Sequence, residues 1–240
     1  MRPLSDTDIV RVWEHGCRAT PVRRAMALIA AASERADEEP LTALTPGERD
    51  ARLLAIRRLT FGRSLECVVR CPACREQLEF VVETSALLAD DAYAAQTHPV
   101  TVTAGDHTVT VRPPTLGDIE GTAGTSAVAL LDRCVVHAER DGVVVARTEL
   151  PEAVIAAVDA QLSAADPAAL MELAMCCPSC AHAWTPLFDI GAFLWTEIAA
   201  RAERLLREVH TLARAYGWSE GSILALGPAR RERYLELVRA

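Results

Sequence analysis

The sequence predicts an α+β fold, mainly helical, with a four-cysteine ribbon-like core and a β-hairpin-containing insert. Three observations lead there. Cys71-Pro72-Ala73-Cys74 and Cys177-Pro178-Ser179-Cys180 repeat one spacing and one proline. Both ends of the chain carry apolar residues at helical spacing between capping signals. Residues 99–114, PVTVTAGDHTVTVRPP, alternate with a period of two on either side of Gly105-Asp106.

Five segments follow in order. Residues 1–65 read as a helical region. Ser5 and Asp8 have capping-box spacing ahead of an apolar face of Ile9, Val10, Val12 and Trp13 that stops at Gly16. Thr20-Pro21 opens a second helix and Thr45-Pro46, with Glu48, a third that runs to about Phe61. A charged linker, Glu34 to Pro40, lies between them. Residues 66–84 hold the first cysteine pair, between candidate strands Cys67–Arg70 and Leu78–Val82. Residues 85–170 form the insert. They hold a short stretch around Ala86 to Ala95, the hairpin, a short helix capped by Thr115, apolar helical segments at Ser126–Glu139 and Pro151–Leu162, and a candidate strand after Asp141-Gly142. Residues 171–190 repeat the strand–cysteine–strand order around the second pair. Residues 191–240 are helical again. A long helix from Ile190 to Tyr216 carries Leu194, Ile198, Leu205, Val209, Leu212 and Tyr216 on one stripe, with Glu197–Arg201 and Glu203–Arg207 as outward i,i+4 pairs. Ser219 and Gly227-Pro228 then open two short helices.

Each pair at a tight turn between two strands has the form of a zinc knuckle. Two knuckles supply four thiolates, the ligand set of a closed, tetrahedral structural Zn²⁺ site. Cys71, Cys74, Cys177 and Cys180 are therefore the predicted ligands of one zinc ion. A redox dithiol, unused thiols or a disulfide are the competing readings, and His182 is an alternative ligand. Glycine commonly follows the second cysteine of a knuckle, where the backbone turns to positive φ; here Arg75 and Ala181 stand there. Cys17, Cys67 and Cys134 sit among apolar residues and read as buried side chains. Cys176, next to Cys177 in a strand, points the opposite way.

Composition narrows the chemistry. Half of the residues are hydrophobic, enough for a sizeable core, and no apolar run is long enough to span a bilayer. The N-terminus lacks the apolar stretch of a signal peptide. A reducing cytoplasm is expected, which favours metal over disulfides. All 25 basic residues are arginine. Without lysine there is no Walker-A loop and no Schiff-base chemistry. Net charge is −8, but Glu76–Glu172 holds 16 acids and 4 arginines. Such an insert repels phosphates and argues against nucleic acid as a partner. No catalytic constellation emerges. The glycines at 121 and 124 lack a lysine and a preceding strand, Asp118 and Glu120 read as solvated carboxylates, and the histidines are scattered. The arginines of ARRERYLELVR read as a solvated helical face.

The order of these segments carries a resemblance. LTPGERDARLLAIRRLTFG leads into CPAC, an acidic insert follows, CPSC leads into FDIGAFLWTEI and a long helix, and the chain closes on YGWSEGSILALGPARRERYLEL. This resembles the T4-type phage baseplate hub and hub-assembly family, including relatives in phage-tail-like contractile injection gene clusters, and the closing segment is its most telling part. The resemblance implies a non-enzymatic, cytoplasmic baseplate component or assembly factor that binds other baseplate, hub or spike proteins. A zinc-ribbon protein acting on nucleic acid and a thiol oxidoreductase are the alternatives. Salt-dependent DNA or RNA binding would favour the first, and a reversible Cys71–Cys74 disulfide the second. Trp218, Ile223, Leu224, Tyr234 and Leu235 in the closing helices have two roles open to them. They complete the core against the long helix, or part of this face docks a partner with the aromatics as anchors.

Overall fold

The computed structural model describes residues 1–34, 40–88, 93, 95–122 and 127–239. Most of the charged linker, much of the Ala86–Ala95 stretch and residues 123–126 of the glycine-containing segment fall outside these. In chain order the helices and strands are α1 (Asp6–Gly16), α2 (Pro21–Ala32), α3 (Pro46–Phe61), β1 (Ser64–Arg70), β2 (Gln77–Glu83), α4 (Thr84–Leu87), β3 (Val100–Ala104), β4 (His107–Val111), α5 (Leu116–Gly121), α6 (Ala127–Cys134), β5 (Val135–Arg140), β6 (Val143–Val144), α7 (Glu152–Ala165), β7 (Met175–Cys176), β8 (Ala183–Trp184), α8 (Ile190–Tyr216), α9 (Glu220–Leu224) and α10 (Pro228–Arg239). The chain is mixed helix and sheet, with helix dominant. It divides into two compact units, residues 1–36, 55–62 and 190–240 in one, and residues 37–54 and 63–189 in the other.

The first unit is all helical. Its helices start where side chains satisfy free backbone donors. Ser5 and Asp8 form a capping box at α1, and the Thr20 hydroxyl accepts from Arg23 N–H at α2. Asp8 also accepts from Arg2 and Arg11, each at 2.7 Å. Burial would raise its carboxyl, but the hydrogen bonds from Arg2 and Ser5 outweigh burial and hold it down to about 2. The stripe of α8, Ile190, Leu194, Ile198, Ala202, Leu205 and Leu212, is buried and packs on α1 and α2. Val209 is half-buried and Tyr216 exposed. Gly16 is where α1 meets Trp195; a Cβ there would lie 2.2 Å from the indole ring.

The charged residues of α8 do not form the expected i,i+4 pair at Glu197–Arg201. Glu197 instead receives a bidentate pair of bonds from Arg57, at 3.0 and 2.8 Å, and Arg201 reaches Asp6 at 3.0 Å. Partners from other helices hold these groups because both lie on half-buried flanks of the stripe. The tail folds back on α8. Ile223 and Leu235 are buried against Leu212, with Val209, Trp218 and Tyr234 packed around them. Arg231 is also buried, and bonds Asp6 at 2.6 Å, Glu208 at 2.7 Å and the Leu226 carbonyl at 3.2 Å. The solvated-face reading of α10 holds for Arg230 and Arg233, which are exposed, and fails at Arg231.

In the second unit, β3-β4-β5-β6 form an antiparallel sheet. Val100–Ala104 pairs with His107–Val111 across Gly105-Asp106. Val109, Val111 and Ala138 of the sheet share a core with Val154 and Val158 of α7. The predicted helix from Ser126 to Glu139 is corrected: α6 ends at Cys134 and Val135–Arg140 is a strand. Two consecutive β-branched residues weaken a helix, and pairing with β4 from His107↔Arg140 to Thr110↔His137 supplies the bonds that the helix would have made. Asp141 and Gly142, at φ 49° and 78°, form the tight turn into β6, which spans two residues only. Asp118 is also corrected. It is buried, bonded by Arg112, Arg133 and the Thr115 cap. Burial opposes its charge, yet the Arg112, Thr115 and Arg133 bonds hold the carboxyl far below the ordinary range. Thr45 and Glu48 cap α3 reciprocally. Gly47 sits against Asp166, which accepts from the Gly47 N–H at 2.8 Å and the Tyr93 hydroxyl at 2.6 Å.

Candidate metal centre

Both cysteine pairs lie in the second unit, each in a turn between two antiparallel strands. β1 and β2 pair from Ser64↔Glu83 to Arg70↔Gln77, and Cys71–Cys74 fills the turn that joins them. β7 and β8 pair through Met175↔Trp184 and Cys176↔Ala183, and the Glu172↔Leu187 bridge extends the pairing. The two turns close alike. Arg75 N–H donates to the Cys71 carbonyl and Cys71 N–H to Glu76, both at 2.9 Å. Ala181 N–H donates to the Cys177 carbonyl and Cys177 N–H to His182, again at 2.9 Å. Arg75 and Ala181 have φ of 63° and 58°, the left-handed conformation expected after the second cysteine. It costs on the order of 1 kcal/mol in a residue with a Cβ.

These turns bring the four sulfurs together. Cys71 Sγ lies 3.7 Å from Cys180 Sγ, and Cys74 Sγ 3.6 Å from Cys177 Sγ. All four lie within 4.8 Å of one another. A tetrahedron with metal–sulfur bonds of about 2.3 Å has edges of about 3.8 Å, so the cluster has the size and donor set to hold a metal ion. Cys71 and Cys177 are buried, while Cys74 and Cys180 sit at the surface.

Electrostatics reinforce the fit. Backbone N–H groups of Cys74 and Ala73 point at the Cys71 sulfur and hold its thiol down to about 6. Cys180 receives the N–H of His182, yet local desolvation and the sulfurs of Cys74, Cys177 and Cys71 push it up to about 12. Four thiolates at this spacing repel each other. A divalent cation at their centre removes that repulsion and releases the remaining protons.

The neighbouring residues sort cleanly. His182 is exposed, stacks on Trp184 at 6.0 Å and lies outside the cluster. Cys176 is exposed where Cys177 is buried, as strand alternation requires. Cys67 and Cys134 are buried; Cys17, at the end of α1, is exposed, against expectation. It is the C-cap residue, one place beyond the last turn and off the apolar stripe. Of the tail residues, Ile223, Leu224 and Leu235 are buried and Trp218 and Tyr234 half-buried, their rings 4.8 Å apart.

A family model described as T4 bacteriophage base plate protein matches residues 9–195. The chain belongs to this family. No curated protein and no solved structure matches it. In this baseplate-family protein the matched stretch takes in both cysteine pairs and the whole insert, and it ends within α8, before the tail that carried most of the sequence resemblance. Among its described residues no helix is long and apolar enough to cross a membrane.

Proposed function

We propose that this baseplate-family protein is a non-enzymatic component or assembly factor of a contractile, phage tail-like injection system. Its second unit is held by one structural zinc ion on Cys71, Cys74, Cys177 and Cys180, with the two turns acting as zinc knuckles. The family match over residues 9–195 carries the reading. Soft thiolates on tetrahedral corners favour zinc over the hard cations, and a four-cysteine shell leaves no open position for a substrate. The turns join antiparallel strands and no helix starts at either pair, a context that disfavours thiol oxidoreductase chemistry. The acidic insert disfavours nucleic acid. Assembly takes place in the producing cell's cytoplasm, against other baseplate, hub or spike proteins. Of the five apolar tail residues named above, Trp218 and Tyr234 are half-buried and so remain partly accessible for such contacts.

Deletion of the gene in a particle-producing strain tests the role. Electron microscopy is expected to show no particles with complete baseplates, and complementation is expected to restore them. Normal contractile particles in the deletion strain would overturn the proposal. Elemental analysis of the purified protein is expected to return one zinc per chain.

A further inference from the structure

The helix α7 is apolar almost all round. Val154 and Val158 face the sheet core. A helix of this kind is normally covered on every side, but among the described residues the adjoining face of α7 is covered only in part: Ile155 and Leu162 pack against that core yet stay half-buried, and Asp159 is exposed. Glu152, Ile155, Ala156, Asp159, Leu162 and Ser163 follow one another at steps of three and one along that face, and they line a trough between α6 and α7. One part of the trough, about 620 Å³, has Val128, Leu131 and Ile155 in its walls. A second, about 280 Å³, has Leu131, Leu162 and Leu170. Leu131 and Asp159 line both, so the two parts adjoin along α7. At its two ends Val128 and Leu170 are 57% and 48% exposed.

The unpaired charges on this trough are acidic. Asp159 and Glu152 have no hydrogen-bond or ion-pair partner among the described residues. The one arginine in the wall, Arg147, is already engaged by Asp132. We propose that the α6–α7 trough is a docking site for an amphipathic, basic helix of a partner protein. Apolar residues of that helix at i, i+3 or i+4, and i+7 would fill the trough, and a lysine or arginine would meet Asp159. The stripe on α7 has the ridge spacing that a third helix packs against. At 14 residues, α7 offers about 21 Å of contact, room for about four turns of a partner. A second copy of this chain is the wrong occupant. A two-fold contact across the trough would set the acidic face of one copy, with Asp159 and Glu152, against the same acidic face of the other, and like charges so placed repel. That the helix belongs to another baseplate protein rests on the function proposed above.

The test places photo-reactive p-benzoylphenylalanine at Val128 of the full chain in particle-producing cells, with the cross-linked peptide identified by mass spectrometry. The expected product is a peptide with helical apolar periodicity and a lysine or arginine, from another baseplate protein. Asp159→Arg is expected to lower its yield roughly tenfold, and Asp159→Asn by a smaller factor, both at unchanged circular dichroism and metal content. Asp159 is exposed, so the asparagine variant keeps the test valid if the arginine variant misfolds. A peptide from a second copy of this chain, an acidic peptide, no cross-link at all, or a yield indifferent to both variants would overturn the trough assignment. A basic amphipathic peptide from a protein outside the particle would support the trough and overturn the baseplate role.

Discussion

Cys177 illustrates how much one side chain can carry. It is buried, its sulfur touches that of Cys74, and its N–H and carbonyl both close the turn. Cys177→Ser is expected to lower bound metal and the melting temperature together, because metal-binding free energy is folding free energy. Elemental analysis beside calorimetry checks both. Asp8 gives a pH signature. Its carboxyl is held at about 2 against an ordinary 3.8, so its contribution is present above pH 4 and disappears as pH falls from about 4 to 2. Asp8→Asn is expected to cost about 2 kcal/mol at neutral pH, and denaturant titrations should show wild type and variant drawing together as pH falls from about 4 to 2. At Gly47 an added Cβ would lie 1.9 Å from Asp166 Oδ1. Gly47→Ala should therefore cost roughly 1–3 kcal/mol by displacing a buried acceptor. Gly221→Ala, in open space on α9, should be neutral or mildly stabilising. Single residues were legible in sequence when a motif repeated them, as with the cysteines and the positive-φ positions after them. Asp118 was not, since both its arginine partners come from elsewhere in the fold.

At the scale of elements, starts were legible and identities less so. Ser5, Thr20, Thr45, Thr115 and Ser219 each cap the helix they announce, because a cap is a local bond between near neighbours. The stretch after Cys134 reads as helix in the sequence because its strand pairing with β4 is non-local. Arg231 hid in an arginine-rich run. Its one sequence signal was position, four residues before Leu235 and so on the same face of α10. The Asp6–Arg201–Arg231–Glu208 network ties α1, α8 and α10 together. Arg231→Met would leave Glu208 half-buried without its partner and should cost on the order of 3 kcal/mol, measurable by chemical denaturation at neutral pH.

For the whole molecule, charge follows the division into units. The helical unit holds 16 arginines and 10 acids, the other 9 arginines and 23 acids. Partner contacts on the second unit should therefore weaken with ionic strength. Truncation after Tyr216 removes Ile223, Leu235 and Arg231, all buried. We expect helical content and protease resistance of the first unit to fall while zinc stays bound; retention of both would show that the tail is dispensable for folding.

The span between the two cysteine turns has a consequence for how the protein is made. Cys74 and Cys177 are 103 residues apart, and closing a loop of that length costs roughly 5 kcal/mol of chain entropy. Two thiolates alone cannot complete a tetrahedral shell. A nascent chain therefore has no complete four-cysteine metal site until the ribosome has delivered Cys180 and the intervening insert has condensed enough to bring the turns together. Metal loading becomes a late checkpoint in biosynthesis. A chain interrupted anywhere in the insert is expected to stay without metal and open to proteolysis.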